Sequence, residues 1–456
     1  MSGMVDAFVR HGLETEFADL STDAVTAIKT YMLDTLGVGI AGAAIPLTDT
    51  VRKAARGWAA DGVAHVWGGG GFTTTPANAA FINGFQIHGQ EYDCVHEPAV
   101  VHPLATILAA LMAEADAQGN VTGQEFAVAL AVAVDLAAGI GVSVSSPIKF
   151  FRPANAGIFG ATLGISRLRK LSAEQTKDAL GYALAFNSGT MQAHVEGKPA
   201  LPIQIGNAAR GAVMACDLAA QGMPGPHDSL EGPFGYFSLF EDEADPADVM
   251  SSLGKIWRIA EVSHKPFPTG RAAQGGIVLM QKLKAAGVEP DNVEQITLTA
   301  PPLIYRLVGR PIQHDMAVNY ARLCFQYSGA VVLKTGTVGL EDFSNSALAD
   351  PETLALGGRI QVMDDGAKNP AAFTPQIAVA TLKDGREVRT EINALYGSPS
   401  DPMTRDAHLA KFRSCVTFGF GSQRPQIEHK LIELTDQLEE VQDVSVLSRL
   451  AAGLEA

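Results

Sequence analysis

Over the first 260 residues the apolar positions recur every three to four residues, the spacing of one helical face. Ser21 and Asp23 open a predicted helix over residues 24–41, with Ile28, Met32, Leu33 and Leu36 on one stripe and Gly37 and Gly39 near its end. A short helix is predicted over 78–88, and long Ala-rich ones over 104–117 and 123–140. Small side chains let helices approach closely, so these are expected at the centre. Ser172-Ala-Glu-Gln175 is a capping box, starting a helix that runs to about residue 186. Another helix covers 205–221 and stops at Gly222. The most apolar stretch, 126–144, is rich in Ala, Gly and Val and contains Asp135, so it reads as a buried core helix and not a membrane span.

The pattern changes near residue 290. Gln295-Ile-Thr-Leu-Thr299 alternates with period two, and residues 359–363 form a second strand signal. Residues 377–382 and 387–392 flank Lys383-Asp384-Gly385-Arg386, which reads as a type I′ hairpin with positive φ at both central positions. Helices are expected at 275–286 and 321–335. Residues 265–395 therefore read as an α+β domain with an antiparallel sheet. A linker at 399–402 leads back into helices at 404–414 and 426–450.

A chain of 456 residues is longer than one hydrophobic core usually serves, which favours two domains. Hydrophobic residues make up 47% and charged ones only 18%, against about 25% in a typical soluble chain. That balance excludes disorder and points to much buried surface, some of it between subunits. The net charge of −15 argues against a nucleic-acid partner. It leaves room for a local group of cations that binds a carboxylate. Four scattered cysteines fit a reducing cytoplasm and neither a zinc ribbon nor a disulfide framework. The first 20 residues carry acids and lack the apolar segment of a signal peptide.

Four segments carry candidate chemistry. His88-Gly-Gln-Glu-Tyr-Asp93-Cys-Val-His96 and His102-Pro103 place three histidines among carboxylates in a loop between helices. The spacing matches no recognised metal motif, so no metal is expected. Lys149-Phe-Phe-Arg152-Pro puts a cation at a helix start, suited to a carboxylate. The bland alternative there is close packing through Gly157 and Gly160. Lys198 and Gln204 flank the start of the helix over 205–221; a lone lysine in that place is usually solvated. His264-Lys265-Pro-Phe-Pro-Thr-Gly270-Arg271 fixes cations at the predicted domain junction, a preferred place for ligands. The tetraglycine 68–71 lacks the ending of a phosphate loop and reads as a turn.

Six ordered segments resemble the MmgE/PrpD family (2-methylcitrate dehydratase / cis-aconitate decarboxylase). They are Met32-Leu-Asp34-Thr-Leu-Gly37; Asn78 to Gly84 with Glu91-Tyr-Asp93; His102-Pro103; Ile205-Gly-Asn-Ala-Ala209; Cys324-Phe-Gln-Tyr327; and Asp401-Pro402-Met403 with Lys411-Phe412. The resemblance implies a large helical domain built from both chain ends, 1–262 and 399–456, and a smaller α+β lid over 263–398. It also implies a homodimer that acts without cofactor on a small di- or tricarboxylate. Carried over, Asp93 and His102 stand in the acid/base loop, Lys265 before the Pro-containing turn, and Tyr327 in the cleft. The sequence departs from the family at Arg152, Leu201, Gln204 and Gly270, where proton-transfer or cationic groups are usual. Arginine binds carboxylates but is a poor base.

The combined expectation is a dehydratase-type lyase. His102, supported by Asp93, moves the proton beside a carboxylate. Lys265, Arg271, Arg152, Lys198 and Gln204 hold the substrate, and Tyr327 or His96 assists the leaving hydroxyl. The alternatives are an epimerase or decarboxylase on the same scaffold, and an inactive anion-binding protein.

Overall fold

The structure is a computed structural model that describes residues 3–58, 61–369 and 372–455. It is mostly helical. Its larger core joins the helices Thr22–Gly42, Pro76–His88, Pro103–Gln118, Gly123–Val142, Arg152–Leu168 and Ala200–Ala220 to the chain-terminal helices Arg405–Phe420, Pro425–Asp436 and Ser445–Ala451. The apolar Gly123–Val142 helix lies inside this core, nearly all of it buried. The capping box at Ser172 and Gln175 forms as expected, and a second one, Thr122 with Glu125, opens the Gly123–Val142 helix.

The Pro76–His88 and Ala200–Ala220 helices cross at two glycines. A Cβ on Gly206 would lie 2.4 Å from the Phe81 carbonyl oxygen, and one on Gly84 would lie 3.2 Å from Gly206 Cα. Only glycine allows this approach, and it fixes the helix that ends at His88. The 68–71 tetraglycine is a turn between the short strands Ala64–His65 and Thr73–Thr74. It docks the C-terminal helix through Gly68 N–H to Ala451 O (2.8 Å) and Gly70 N–H to Ala452 O (3.1 Å).

A second core runs from Phe267 to Leu395. Its four strands lie in the order Ile360–Asp364, Val293–Ala300, Gln376–Leu382, Glu387–Ile392. The sheet is mixed rather than wholly antiparallel, because Val293–Ala300 pairs in parallel with Ile360–Asp364. The intervening segment contains the helices Pro302–Val308, Phe325–Thr335 and Pro351–Gly357, a crossover long enough for parallel pairing. The hairpin at 383–386 also differs from expectation. Gly385 has φ +85° and Asp384 does not have positive φ. Gly385 N–H donates to Leu382 O (2.9 Å) and Leu382 N–H to Arg386 O (2.8 Å), so the loop is a type I turn with a glycine bulge.

The chain passes between the two cores at two adjacent points. His264 N–H donates to Gly397 O (2.8 Å), and Arg271 Nη1 donates to His264 O (3.0 Å) and Tyr396 O (2.8 Å). Val95 and Ser263 exchange backbone hydrogen bonds of 3.0 and 2.8 Å, tying the histidine-rich loop to the same place.

Candidate active site

Both cores contribute walls to one cavity of about 100 Å³. His88, Glu91, His102, Phe151, Met191, His194 and Leu201 come from the helical side. Gly270, Arg271, Ala272, Leu307, Val308, Leu323 and Phe373 come from the α+β side.

Local structure places the polar groups. His88 is the last residue of the Pro76–His88 helix. His102 is the N-cap of Pro103–Gln118 (φ −109°, ψ 75°), kept out of the helical region by the proline that follows. Between them the loop turns back on itself through His96 N–H to Val101 O (2.9 Å), with Glu91 and Val100 at positive φ (51° and 52°). Asp93, fully buried, collects both imidazoles: its Oδ2 is 2.9 Å from His88 Nδ1 and 3.1 Å from His102 Nδ1. Lys265 Nζ, also fully buried, donates to Glu91 Oε2 (2.9 Å) and lies 3.7 Å from Asp93 Oδ1.

Burial opposes charge throughout this group, and the partners decide the outcome. Burial would raise the Asp93 pKa, but His88, His102 and Lys265 together hold it well below the usual carboxylate range. Burial likewise opposes ionisation of Glu91, and Lys265, His88 and His102 still bring it down to about 2. Burial would lower His88, yet Asp93 and Glu91 outweigh it and the net shift is upward. His102 goes the other way: burial outweighs Asp93, and Lys265 adds to the lowering. His102 is therefore the neutral histidine of the pair. Its Nδ1 proton is engaged by Asp93, which leaves the Nε2 lone pair for the cavity.

His88, Asp93 and His102 could also offer a metal three ligand atoms within 4.8 Å of one another. Both histidine nitrogens facing Asp93 already bond to it, however, and Lys265 supplies a cation beside its second oxygen. The donor set fits an acid/base relay better than a metal.

Several residues expected at the site lie elsewhere. Arg152 forms a buried bidentate pair with Glu241 (Nε to Oε1 and Nη2 to Oε2, both 3.0 Å), which also accepts from the Tyr236 hydroxyl (3.1 Å). Its charge is spent on structure, and it does not line the cavity. Lys198 is exposed and outside the cavity wall. Gln204 donates to Thr190 O (3.3 Å) and packs on Gly189. Tyr327 is buried in the α+β core, where its hydroxyl donates to Asp342 O. His96 bonds Glu261 (2.9 Å) and accepts from Ala99 N–H (3.2 Å), bracing the loop without reaching the cavity. Arg271 does line the cavity, but its Nε donates to Glu97 Oε1 (2.6 Å) and its Nη1 clasps the two chain crossings.

Other groups were not singled out from the sequence. Glu91 and His88 had a signal, the density of the 88–102 loop. Arg322 had none: it is buried and donates to Gly89 O (3.0 Å), and burial lowers its pKa to about 10. His194 stood in no motif. At the departure Gly270, a Cβ would lie 2.6 Å from Leu323 Cδ2, so this wall closes on space a side chain would need. Leu201 adds an apolar surface where the family resemblance implied a lysine.

The two sequence matches meet near the first chain crossing, and the second runs past the α+β core into the C-terminal helices of the larger core. Residues 7–248 match the MmgE/PrpD N-terminal domain and residues 267–437 the MmgE/PrpD C-terminal domain. A cis-aconitate decarboxylase of Mus musculus is 27% identical, with 97% of this chain and 92% of the relative covered. The Homo sapiens cis-aconitate decarboxylase is 26% identical over 97% and 93%. The cis-aconitate decarboxylase-like protein oryM of Aspergillus oryzae (strain ATCC 42149 / RIB 40) is 26% identical over 96% and 95%. With both halves of its length matched, the chain belongs to the MmgE/PrpD family.

Proposed function

We propose that the protein is a cofactor-independent lyase that moves a proton at the carbon beside a carboxylate of a small di- or tricarboxylate. The observation that carries this reading is the position of His102: Nδ1 bonds buried Asp93 at 3.1 Å while the ring lines the cavity. In a dehydration, Nε2 takes the α-proton and Asp93 stabilises the imidazolium that forms. The C–O bond then breaks, a C=C bond forms, and the imidazolium returns the proton to the departing hydroxyl, which leaves as water. One histidine thus serves both steps, and neither Tyr327 nor His96 is required. The uncapped start of the Arg271–Ala285 helix lies in the cavity wall at Gly270, Arg271 and Ala272 and favours a substrate carboxylate.

Decarboxylation is the second reading, supported by the names of the relatives. Loss of CO₂ leaves a carbanion beside a retained carboxylate, and His88, the cavity-wall histidine whose pKa is raised, is the protonated group that can deliver the proton. We further propose a cytoplasmic homodimer, supported by exposed Ile203, Met214 and Leu218 on the Ala200–Ala220 helix and the exposed Trp58 beneath Arg210. Light scattering behind size exclusion tests the dimer. Proton NMR in D₂O with a panel of hydroxy di- and tricarboxylates plus cis-aconitate tests the chemistry. Elimination, loss of CO₂ and bare deuterium exchange (the epimerase outcome) each give a distinct spectrum. A folded protein that does none of these defeats the reading.

A further inference from the structure

The cavity wall holds a third histidine. His194 lies on the short helix Gln192–Glu196 of the helical side, and Arg310 reaches it from the α+β side. Arg310 Nη2 is 3.2 Å from His194 Nε2 and 3.2 Å from the His194 carbonyl oxygen. A guanidinium has donors and no acceptor, so Nε2 must present its lone pair. In the neutral ring the proton is then on Nδ1. The guanidinium is itself held in place, 4.9 Å above the Tyr320 ring, whose hydroxyl donates to Pro311 O (2.6 Å). Burial first, then Arg310, bring the His194 pKa down to about 4, with Glu91 opposing and Arg306 adding least. The ring is therefore neutral at physiological pH. Among the described residues Nδ1 has no hydrogen-bond partner.

We infer that His194 is a substrate-contacting donor, its Nδ1–H bonding the carboxylate oxygen on which charge builds as His102 takes the α-proton, and that Arg310 is the positioning residue that fixes this tautomer. The inference rests on the carboxylate reading above. Proton transfer from His194 is not involved, since a neutral imidazole is a very weak acid. A fixed N–H dipole aimed at developing charge strengthens in the transition state and needs no reorganisation. The pair draws one residue from each core, so the donor is set only when the two cores meet over the cavity.

Nitrogen-15 NMR of histidine-labelled full-length protein tests the inference, with His194→Gln assigning the resonance. The expected result is a neutral Nδ1–H tautomer from pH 5.5 to 8. In Arg310→Gln the tautomers should mix and the titration should move back toward about 6.5. Tricarballylate, a saturated tricarboxylate, should shift the Nδ1 resonance. In kinetics, His194→Gln should lower kcat on the order of 10²-fold with a smaller change in KM. Arg310→Gln should gain a new acid limb in kcat, and Arg310→Lys, which can still donate to Nε2, should restore much of it. An Nε2–H tautomer, a wild-type titration near 6.5, a resonance unmoved by tricarballylate, or an unchanged kcat in His194→Gln would each overturn it. If tautomer and tricarballylate shift are as expected but no substrate turns over, the donor assignment stands and the lyase reading fails.

Discussion

Two buried clusters in this molecule are built from the same parts. One is Asp93 with His88, His102 and Lys265; the other is Asp34 with His264, His408 and Lys411. In each, a carboxylate and two histidines bring ligand atoms within 4.8 Å of one another. They differ in what the carboxylate holds. Asp34 is paired with Lys411 at 2.8 Å, while His408 Nε2 stays 4.0 Å away. Lys411 also donates to Tyr92 O (3.0 Å) and lies over the Tyr92 ring. Neither Nε2 of His264 nor that of His408 has a hydrogen-bond partner, and burial brings their pKa values to about 3 and about 4. None of these four residues lines the cavity. The Asp34 cluster is a closed rivet between the Thr22–Gly42 and Arg405–Phe420 helices. Proximity of residue types therefore does not make a site. Hydrogen bonds from both imidazoles to one carboxylate, and one imidazole edge left open to a cavity, separate the two.

The comparison breaks most sharply at the histidines. His102→Asn should lower kcat/KM for the substrate on the order of 10²- to 10⁴-fold with the fold intact by circular dichroism. His408→Asn should keep its turnover per folded molecule. Because the His102 pKa is lowered, the acid limb of the wild-type kcat/KM profile should fall below about pH 6.5, the ordinary histidine value.

Stability should respond in the opposite order. Lys411→Met strands the Asp34 carboxylate and should cost about 3–5 kcal/mol in denaturant unfolding, with kcat of the folded fraction within a few-fold of wild type. A large loss of kcat with no loss of stability would reverse the roles assigned to the two clusters.

Acid should separate the clusters by pH window. The folded pKa values of His264 and His408 are depressed, so below about pH 6.5 the unfolded chain takes up protons that the folded one refuses until about 4 or 3. Stability from this source falls by up to roughly 1.4 kcal/mol per pH unit per histidine. Glu91, also depressed, contributes above its unfolded pKa of 4.5 and loses that only as pH falls toward about 2. His88, raised, opposes the trend: its contribution is complete below about 6.5 and fades as pH rises through its folded value. Denaturation midpoints at pH 7, 5.5 and 4.5 should drop less in His264→Gln/His408→Gln than in wild type. The smallest effect tests the scaffold under the open cluster. Gly206→Ala should cost about 1–3 kcal/mol by pushing the helix ending at His88 off its neighbour.

Much of this was legible in the sequence because it is local. Periodicity and capping placed the helices, and the density of histidine and carboxylate between 88 and 102 marked the loop. The misreadings share a different cause: each turns on a tertiary partner that the local pattern does not show. Arg152 looked like a free cation because its counter-charge, Glu241, lies 89 residues away. Tyr327 and His96 are consumed by Asp342 and Glu261 in the same way. The parallel strand pair follows from how the crossover over residues 301–359 packs, which alternation cannot reveal. His194 left no trace because its role depends on Arg310, 116 residues on and in the other core.

The adjacency of the two chain crossings at His264 and Gly397 has an evolutionary consequence. A segment whose ends sit side by side can be exchanged as a cassette, since the host helices need not move to accept it. Such an exchange would carry Gly270, Leu307, Val308, Leu323 and Phe373 into or out of the cavity together and leave His88, Asp93 and His102 behind. Pocket shape and proton-transfer machinery would then be inherited on separate pieces of one gene.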